Sequence, residues 1–442
     1  MSASPYYTDE HVTLYHGDCR EVMPQIEGVT AIVSDPPYGL SFMGKGWDHG
    51  VPGEDFWRIA SGCCLPGAPM LAFGGTRTYH RLVCAIEDAG WEVRDCLQWL
   101  YASGFPKSHN VGKALDKAAG NGRNDSPMTR KDTGFRMQAG GTPALPPATP
   151  AARTWEGWGT ALKPAHEPIC LAMNPLDGTY AQNALEHGVA GLNVDGGRVA
   201  ASGVPVFSTD GGRKFEQTHT QPERRTKQVG TSDQGRWPAN ILHDGSEEVL
   251  AGFPSAGGGK FSRNSDSGRT AISTRAHNPR PPNTTGSVCN YGDSGTAARF
   301  FYCAKASKAE RNRGCEGLPE KVRSGMNTHG GDADKGEAWM PIDERTGKPR
   351  DRFKSVQSNN HPTVKPLALM RYLCTLVTMP ERNLILDPFA GSGTTGVACK
   401  ELGLPCVLIE QDEHHCEIIA ARIAAAKQDA PPPPSPQKEF AL

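Results

Sequence analysis

The feature that most constrains the fold is an alternation of short apolar runs with helical segments, which occurs in two blocks at opposite ends of the chain. In the first block, apolar runs bounded by turn residues predict five buried strands. These runs are residues 12–15, 29–33, 70–73, 96–100 and 168–172. Residues 79–89 have apolar side chains at helical spacing and stop at Gly90, as a helix with a glycine C-cap does. The first block therefore has β-α-β order.

The second block repeats this pattern near the C-terminus. It predicts a helix over 366–377, a strand over 384–386, a helix over 394–402 ended by Gly403, a strand over 406–409 and a helix to about residue 427. Neither block alone has enough helices to cover both faces of a parallel sheet. We therefore expect the two blocks to share one sheet in an α/β fold.

Polar and glycine-rich sequence separates the two blocks. With 442 residues, 51 glycines and 36 prolines, the chain has room for a catalytic domain and a loop-rich accessory region. We predict a catalytic half over 1–172 with a basic insertion over 104–163, a substrate-recognition insertion over 173–360, a second half over 361–428 and a disordered tail over 429–442. The stretch 198–313 has an excess of Lys and Arg, and the tail is rich in proline.

Charge and cysteine usage restrict the function classes. A net charge of -1 gives no basic field over the whole molecule, so any nucleic-acid surface must come from local segregation of charge. The 13 cysteines form no C-x-x-C pair, and the histidines lack metal-ligand spacing. No apolar run is long enough to span a bilayer, and no signal peptide is evident. We predict a cytoplasmic protein without a metal site or a membrane anchor.

A candidate catalytic loop, Asp35-Pro36-Pro37-Tyr38-Gly39, directly follows the apolar run 29–33. The carboxyl end of a strand is where ligands bind in open α/β sheets. One reaction that such a loop could support is methylation of an aryl amine. The lone pair of this amine is delocalised into the ring, so the reaction requires acceptors that draw the amine hydrogens out of plane. Asp35 and the carbonyl of Pro36 would accept these hydrogens, Pro37 would stiffen the loop, and Tyr38 would stack on an extruded base. An ordinary Asp-Pro-Pro turn is the alternative interpretation.

A glycine turn, Asp387-Pro388-Phe389-Ala390-Gly391-Ser392-Gly393-Thr394-Thr395-Gly396, lies between a predicted strand and a predicted helix. Its glycines would let a ligand approach the backbone at the helix N-terminus. The turn also satisfies G-x-G-x-x-G, which leaves a NAD-binding Rossmann turn as a rival. Glu410, at the end of the next strand, would hold a ribose under either interpretation.

Together, the two motifs resemble those of the DNA amino-methyltransferases, which modify adenine N6 or cytosine N4. Two further segments are similar to the family's motifs: His361-Pro362-Thr363-Val364-Lys365-Pro366 and Tyr15-His16-Gly17-Asp18-Cys19. The catalytic loop precedes the glycine turn, which is the circularly permuted order of the family's beta group, and other phrases resemble methylases of phages and prophages. The resemblance implies a Rossmann-like S-adenosylmethionine-dependent fold with a mostly parallel seven-stranded sheet and a large loop-rich insertion.

The resemblance also implies the residues of the site. The catalytic residues would be Asp35, Pro36, Pro37 and Tyr38. The residues contacting S-adenosyl-L-methionine would be Asp18, Thr363, Lys365, Asp387, Phe389, Gly391, Gly393, Thr394 and Glu410. The alternative interpretations, which involve no ligand, are a solvated strand end for Glu410, a surface lysine for Lys365 and an ordinary turn for Asp18. Pro405-Cys406 looks like a cytosine-C5 nucleophile, but we expect it to be buried in a strand.

The expected partner is double-stranded DNA with the target base flipped out. Candidate DNA-binding residues are Arg236, Arg299, Lys305 and Lys308, and the last three are the candidate phosphate contacts. We expect the run Phe300-Phe301-Tyr302 to be core, and Trp155 and Trp158 would either wedge into DNA or pack within the protein. The sequence gives no indication of oligomeric state.

Within the family that the chain resembles, Asp-Pro-Pro-Tyr is mostly an adenine signature, so the resemblance implies adenine N6 as the target, with cytosine N4 as the alternative. A methyltransferase of RNA or of protein glutamine uses a similar loop but usually places the cofactor motif first. A NAD-dependent oxidoreductase leaves the catalytic loop unexplained, and a non-catalytic DNA-binding protein would need neither motif.

Overall fold

The computed structural model of the protein describes residues 4–40, 50–101, 104, 108–121, 146–199, 204–209, 226–232, 235–244, 247–251, 255–256, 260–261, 289–290, 295–296, 307–318, 321–323, 355–359, 361 and 363–428. The predicted tail, the run 300–302, Arg299 and Lys305 lie outside these residues. The chain divides into two compact units, Met1–Leu100 with Glu167–Leu442, and Tyr101–His166.

The strands are β1 Tyr7–Thr8, β2 Val12–His16, β3 Ala31–Ser34, β4 Pro69–Phe73, β5 Glu92–Leu100, β6 His166–Met173, β7 Val204–Thr209, β8 Thr226–Ser232, β9 Ile241–His243, β10 Ser255–Ala256, β11 Lys260–Phe261, β12 Cys289–Asn290, β13 Gly295–Thr296, β14 Lys321–Arg323, β15 Ser355–Gln357, β16 Ile385–Asp387 and β17 Cys406–Glu410. The helices are α1 Cys19–Val22, α2 Glu54–Cys63, α3 Tyr79–Asp88, α4 Val111–Ala118, α5 Pro150–Thr154, α6 Tyr180–His187, α7 Glu247–Ala251, α8 Lys308–Asn312, α9 Leu367–Leu376, α10 Thr394–Leu402 and α11 Glu413–Ala425.

The two blocks of the sequence share one sheet, as expected. Its strand order is β1-β2-β17-β16-β3-β4-β6-β5-β9, so two C-terminal strands lie between two N-terminal ones. The pairings β2 with β17, β17 with β16, β16 with β3, and β3 with β4 are all parallel. The carboxyl ends of these five strands therefore meet at one edge of the sheet.

The sheet differs from the predicted one in size and in the direction of one strand. It has nine strands rather than seven, because β1 pairs antiparallel at one end and β9 pairs with β5 at the other. β6 runs antiparallel to β4, with Pro69 opposite Met173 and Phe73 opposite Ile169. An apolar run does not encode the direction of a strand, since direction is set by the partner strand. The residues that begin β6 therefore lie at the same edge as the carboxyl ends of the parallel strands.

Apolar side chains on the sheet and its helices form the main core. Ile32 and Leu386 of the central strands pack with Trp57 of α2 and Ile86 of α3, all fully buried. The indole of Trp91 donates to the Trp57 carbonyl at 2.9 Å, so this buried N–H has a partner. Cys406 is buried where it opens β17, as the sequence predicts.

The unit Tyr101–His166 has its own small framework of α4 and α5. The buried carboxylate of Asp116 accepts from the backbone amides of Ala148 and Thr149 and from the Thr149 hydroxyl, which also caps α5. Trp155 and Trp158 are 44% and 58% exposed and contact each other edge to face. Their exposure favours a surface role over packing within this unit.

Parts of the predicted insertion 173–360 belong to the larger unit. β9 joins the main sheet beside β5, and the Asn193 backbone amide donates to the carbonyl of Leu376, the last residue of α9, at 2.8 Å. β7 and β8 pair with each other as an antiparallel hairpin. Among the strands in the described ranges, neither of them pairs with any other.

Candidate active site

The predicted functional segments meet at the carboxyl edge of the parallel strands. Asp18 follows β2, Glu410 ends β17, Asp387 ends β16 and Asp35 follows β3. The Gly17 amide donates to the Glu410 carbonyl at 3.0 Å, and the Ser34 hydroxyl donates to Asp387 Oδ1 at 2.8 Å. Four carboxylates from distant parts of the sequence thus line one edge, which is where ligands bind in open α/β sheets.

The catalytic loop is held in place by its neighbours. The Thr78 hydroxyl, just before α3, donates to the Tyr38 carbonyl at 2.6 Å. Gly39 has φ +65°, and a Cβ there would lie 2.9 Å from the Val51 amide nitrogen, so only glycine fits. Pro36 is buried at the base of the loop. These contacts fix the direction in which Asp35 and Tyr38 point.

Both carboxylate oxygens of Asp35 accept a hydrogen bond within the protein. The Tyr38 hydroxyl donates to Oδ1 at 2.8 Å, and the Lys365 ammonium donates to Oδ2 at 2.6 Å. Lys365 Nζ also lies 3.2 Å from the Tyr38 hydroxyl oxygen and 4.7 Å from the centre of the Phe73 ring. The structure therefore brings Lys365 to the catalytic loop, and at 8% exposure it is not a surface lysine.

Glu167, near the start of β6, completes this cluster and is absent from the sequence-based prediction. Its Oε2 lies within hydrogen-bonding distance of the Tyr38 hydroxyl, at 3.1 Å, and 3.3 Å from Lys365 Nζ. If β6 were parallel to β4, its first residues would lie at the opposite edge of the sheet. The signal that would have revealed Glu167 is an acidic residue opening an apolar strand, and it has meaning only once the strand direction is known.

Burial and charge act in opposite directions on the pKa of Lys365 and in the same direction on the pKa of Tyr38. Burial lowers the pKa of Lys365, but the adjacent Asp35 and Glu167 carboxylates outweigh it, and the net pKa is raised. Burial raises the pKa of Tyr38 well above its usual range, and the same two carboxylates add to this rise. Lys365 is therefore a protonated cation and Tyr38 a neutral hydroxyl at physiological pH.

The glycine turn between β16 and α10 has the conformation that its sequence predicts. Gly391 and Gly393 have φ of +56° and +74°, and a Cβ on Gly393 would lie 2.8 Å from Ile419 of α11. The Gly391 amide donates to Glu410 Oε2 at 2.8 Å. A Cβ on Gly391 would lie 3.0 Å from the His361 ring, so this imidazole stands directly against the turn.

The side chains of Asp387 and Thr394 are buried and make hydrogen bonds within the protein. Asp387 accepts from the hydroxyls of Ser34 and Thr395 and from the Phe389 amide, and burial raises its pKa to about 6. The Thr394 oxygen accepts from Arg422 Nη1 at 3.2 Å. These two side chains hold the turn, because their polar atoms are already engaged behind it.

Arg422 of α11 is a second residue that the sequence did not reveal. Its Nη1 donates to the carbonyl and hydroxyl of Ser392 and to Thr394, and the side chain is buried. Burial lowers its pKa to about 10, which still leaves it charged at neutral pH. Arg422 braces the glycine turn from behind, and its position on a helix next to an apolar face gives no sign of this in the sequence.

The remaining predicted cofactor residues lie around the turn. Asp18 caps α1 and binds the Arg20 guanidinium, which lowers the pKa of its carboxyl. Phe389 is half-buried, with its ring centre 4.9 Å from that of Phe56. Thr363 is exposed, and its carbonyl lies 2.9 Å from His361 Nδ1.

The structure describes only part of the predicted DNA-contacting set. Arg236 is half-buried and pairs with Val199 through both backbone bonds. The neighbouring Trp237 is 68% exposed, with the Arg198 guanidinium 5.3 Å from its ring centre. Lys308 begins α8.

Two general expectations concern metals and membranes. Asp177, Glu186 and His187 could bring three ligand atoms within 4.8 Å, but Asp177 and Glu186 are exposed, and such acidic groups are common without an ion. None of the helices in the described ranges is long and apolar enough to cross a bilayer.

Comparison with known proteins gives several similarities. A family model for N6/N4 methylases, described as DNA methylase, matches residues 29–421. The type II methyltransferase M.SmaI of Serratia marcescens is 45% identical over 64 residues, which is 14% of this chain and 22% of that protein. The type II methyltransferase M2.DpnII of Streptococcus pneumoniae is 38% identical over 71 residues, which is 16% of this chain and 26% of that protein. The aligned parts thus span about a quarter of these curated relatives.

Solved structures also superpose on most of the chain. The complex of M1.HpyAVI with SAM has a TM-score of 0.35 at 13% identity, covering 93% of this chain and 99% of that one. The cytosine-N4-specific PvuII DNA methyltransferase has a TM-score of 0.38 at 10% identity, covering 97% and 98%. Membership rests on the family model, which spans both the catalytic loop and the glycine turn. The chain belongs to the DNA methylase family of N6/N4 type.

Proposed function

We propose that the protein transfers a methyl group from S-adenosylmethionine to an exocyclic amino group of a base in DNA, with adenine N6 as the favoured target. One observation carries the proposal: the carboxylate of Asp35 and the glycine turn lie at the ends of neighbouring strands. A hydrogen bond from the Ser34 hydroxyl to Asp387 links these two strand ends. A methyl-transfer site requires this adjacency, because the acceptor nitrogen must approach the methyl donor closely.

The residues around the turn fit S-adenosylmethionine, which carries a net positive charge. Asp18 and Glu410 place two carboxylates beside the turn, and Phe389 offers an aromatic face. Glu410 would accept from the ribose hydroxyls, and Asp18 would lie near the adenine. The carboxylates of Asp18 and Glu410 suit a cationic ligand better than the pyrophosphate of NAD, and membership of a DNA methylase family also favours S-adenosylmethionine over the cofactor of an oxidoreductase.

When bound, S-adenosylmethionine supplies an electrophilic methyl group on a positively charged sulfur. Asp35 and the Pro36 carbonyl would each accept one hydrogen of the target amine, which frees the nitrogen lone pair from the ring. Asp35 would then take the proton that the methylated nitrogen loses. Tyr38 would stack on the flipped base, with its backbone fixed by Thr78.

Adenine is favoured over cytosine because an aspartate heads the catalytic loop, which within the family is mostly an adenine signature. Both amines are conjugated and offer two hydrogens, so a carboxylate would serve either.

For DNA contact we propose Arg236, Arg299, Lys305 and Lys308, in a stretch with an excess of positive charge. The exposed Trp237, stacked with Arg198, adds an aromatic surface next to Arg236. A non-catalytic DNA-binding protein would have no use for the buried cluster around Asp35.

The test uses the purified full-length chain with isotopically labelled S-adenosylmethionine and unmethylated DNA. The DNA is digested to nucleosides, which are separated and identified by mass spectrometry. We expect labelled N6-methyladenine. Labelled N4-methylcytosine alone would overturn the adenine assignment and leave the mechanism intact, whereas no label in DNA, with label in RNA or protein substrates, would overturn DNA as the substrate.

A further inference from the structure

We propose that Glu167 is a positioning residue. It accepts the hydrogen bonds of Tyr38 and Lys365 when the target amine donates its hydrogen to Asp35. The inference rests on the proposed function and deepens it, since it explains how a carboxylate that is hydrogen-bonded within the protein becomes available to substrate. It depends on the hydrogen-bond geometry of four side chains, Asp35, Tyr38, Glu167 and Lys365, which we call the carboxylate cluster.

Each carboxylate oxygen of Asp35 has a donor within the protein. The Tyr38 hydroxyl donates to Oδ1 at 2.8 Å, and the Lys365 ammonium donates to Oδ2 at 2.6 Å. To draw an amine hydrogen out of plane, Asp35 must give up at least part of one of these bonds. The donor that is released then requires another acceptor, because Lys365 is buried and Tyr38 is half-buried.

Glu167 is that acceptor for both donors. Its Oε2 lies 3.1 Å from the Tyr38 hydroxyl and 3.3 Å from Lys365 Nζ, compared with 2.8 Å and 2.6 Å for the corresponding distances to Asp35. The Tyr38 hydroxyl has one hydrogen and two carboxylates within reach. A small shift toward Glu167 therefore frees Asp35 without leaving a buried donor unpaired.

Lys365 makes this second carboxylate necessary. An ammonium that is 8% exposed is strongly destabilised when its last anionic partner is removed. With Asp35 alone as partner, binding of the amine would compete directly with the ion pair. With Glu167 also present, the cation keeps a partner throughout, so the cluster is stable whether or not Asp35 is engaged.

The first experiment measures this sharing without any enzymatic activity. Urea unfolding is followed for the full-length wild type, Asp35→Ala, Glu167→Ala and the double variant. Among the residues that the structure describes, each single variant leaves Lys365 one carboxylate partner and the double variant leaves none. We expect the double variant to lose more urea midpoint than the two single variants together, with an excess of roughly half of their summed loss or more.

Adding Lys365→Met to the double variant should recover much of that loss, because no buried cation is then left. If the double variant does not fold, a folded triple variant supports the inference equally. Strictly additive midpoints, or a triple variant no more stable than the double variant, would overturn it.

The second experiment measures methyl transfer by Glu167→Gln, with Glu87→Gln on the exposed face of α3 as the matched control. We expect kcat for Glu167→Gln to fall roughly ten- to hundredfold with KM for S-adenosylmethionine within about twofold of wild type, as for a misplaced catalytic group. An unchanged kcat would overturn the inference. Absence of transfer by the wild type would instead count against the proposed function, and the unfolding measurements would still decide the role of Glu167.

Discussion

The Lys365 ammonium lies 2.6 Å from Asp35 Oδ2, although 330 positions separate the two residues in the chain. One residue follows a strand of the N-terminal block, and the other precedes the first helix of the C-terminal block. The contact forms because β16 and β17 insert between β2 and β3, which brings both blocks to one edge of the sheet. The active-site cluster therefore depends on the pairing of the two blocks.

Replacing Asp35 by alanine should reduce methyl transfer by about a hundredfold or more, because a positioned acceptor for the amine is lost. The affinity for S-adenosylmethionine should stay within about threefold, since Asp35 contacts the catalytic loop rather than the glycine turn. Initial rates and calorimetric titration measure the two quantities. A variant that keeps more than about a tenth of the wild-type rate would show that Asp35 is not the catalytic acceptor.

The buried carboxyl of Asp387 should make stability depend on pH. Burial raises its folded pKa to about 6, whereas the unfolded chain has about 3.9. The folded state thus binds the proton more tightly, so this group adds stability as pH falls through 6 toward 4 and loses it as pH rises through the same range. The full difference is about 3 kcal/mol for a shift of this size.

The comparison variant for this effect is Asp387→Asn, which cannot titrate. Urea unfolding of both proteins at pH 5 and pH 7.5 gives the change with pH for each. The wild type should gain free energy of unfolding relative to the variant at the lower pH. Parallel behaviour of the two proteins would mean that the three donors to Asp387 compensate fully for its burial.

Gly393→Ala should destabilise the protein by about 2 kcal/mol or more, because φ is +74° and a new Cβ would lie 2.8 Å from Ile419. The affinity for S-adenosylmethionine should fall with it, since the turn moves. Gly62→Ala is the matched control, as Gly62 lies within α2 with nothing within 4 Å of its Cβ position. The control should be neutral or slightly stabilising by up to about 1 kcal/mol. Equal melting temperatures for the two variants would contradict the assignment of a rigid turn.

Removing the hairpin of β7 and β8 should separate cofactor binding from DNA recognition. The hairpin, Val204–Thr209 with Thr226–Ser232, lies in the basic stretch, whereas β9 at Ile241–His243 is part of the main sheet and must be kept. A variant with residues 204–232 replaced by a short glycine-serine linker should bind S-adenosylmethionine normally and methylate DNA poorly. A folded variant that loses the cofactor would contradict this division, and one with normal DNA methylation would place recognition elsewhere.

Local sequence patterns were sufficient to locate the secondary structure around the site. The predicted helix 394–402 coincides with α10, and Gly403 ends it with φ +68°. The strands before the catalytic loop and before the glycine turn were also located to within a few residues. These features depend on apolar periodicity and on backbone conformations that only glycine adopts freely. Both are determined by residues that are close in the sequence.

The sequence alone thus determined an α/β fold whose two blocks share one sheet, together with the loop at Asp35 and the turn at Gly391. Only the tertiary structure decided that β6 runs antiparallel, which brings Glu167 to the active edge, and that Arg422 braces the turn from α11. The same holds for Lys365, whose side chain pairs with Asp35 inside the protein. Strand direction and long-range ion pairs depend on which segments meet in space, and that is set by the free energy of packing the whole sheet rather than by any local pattern.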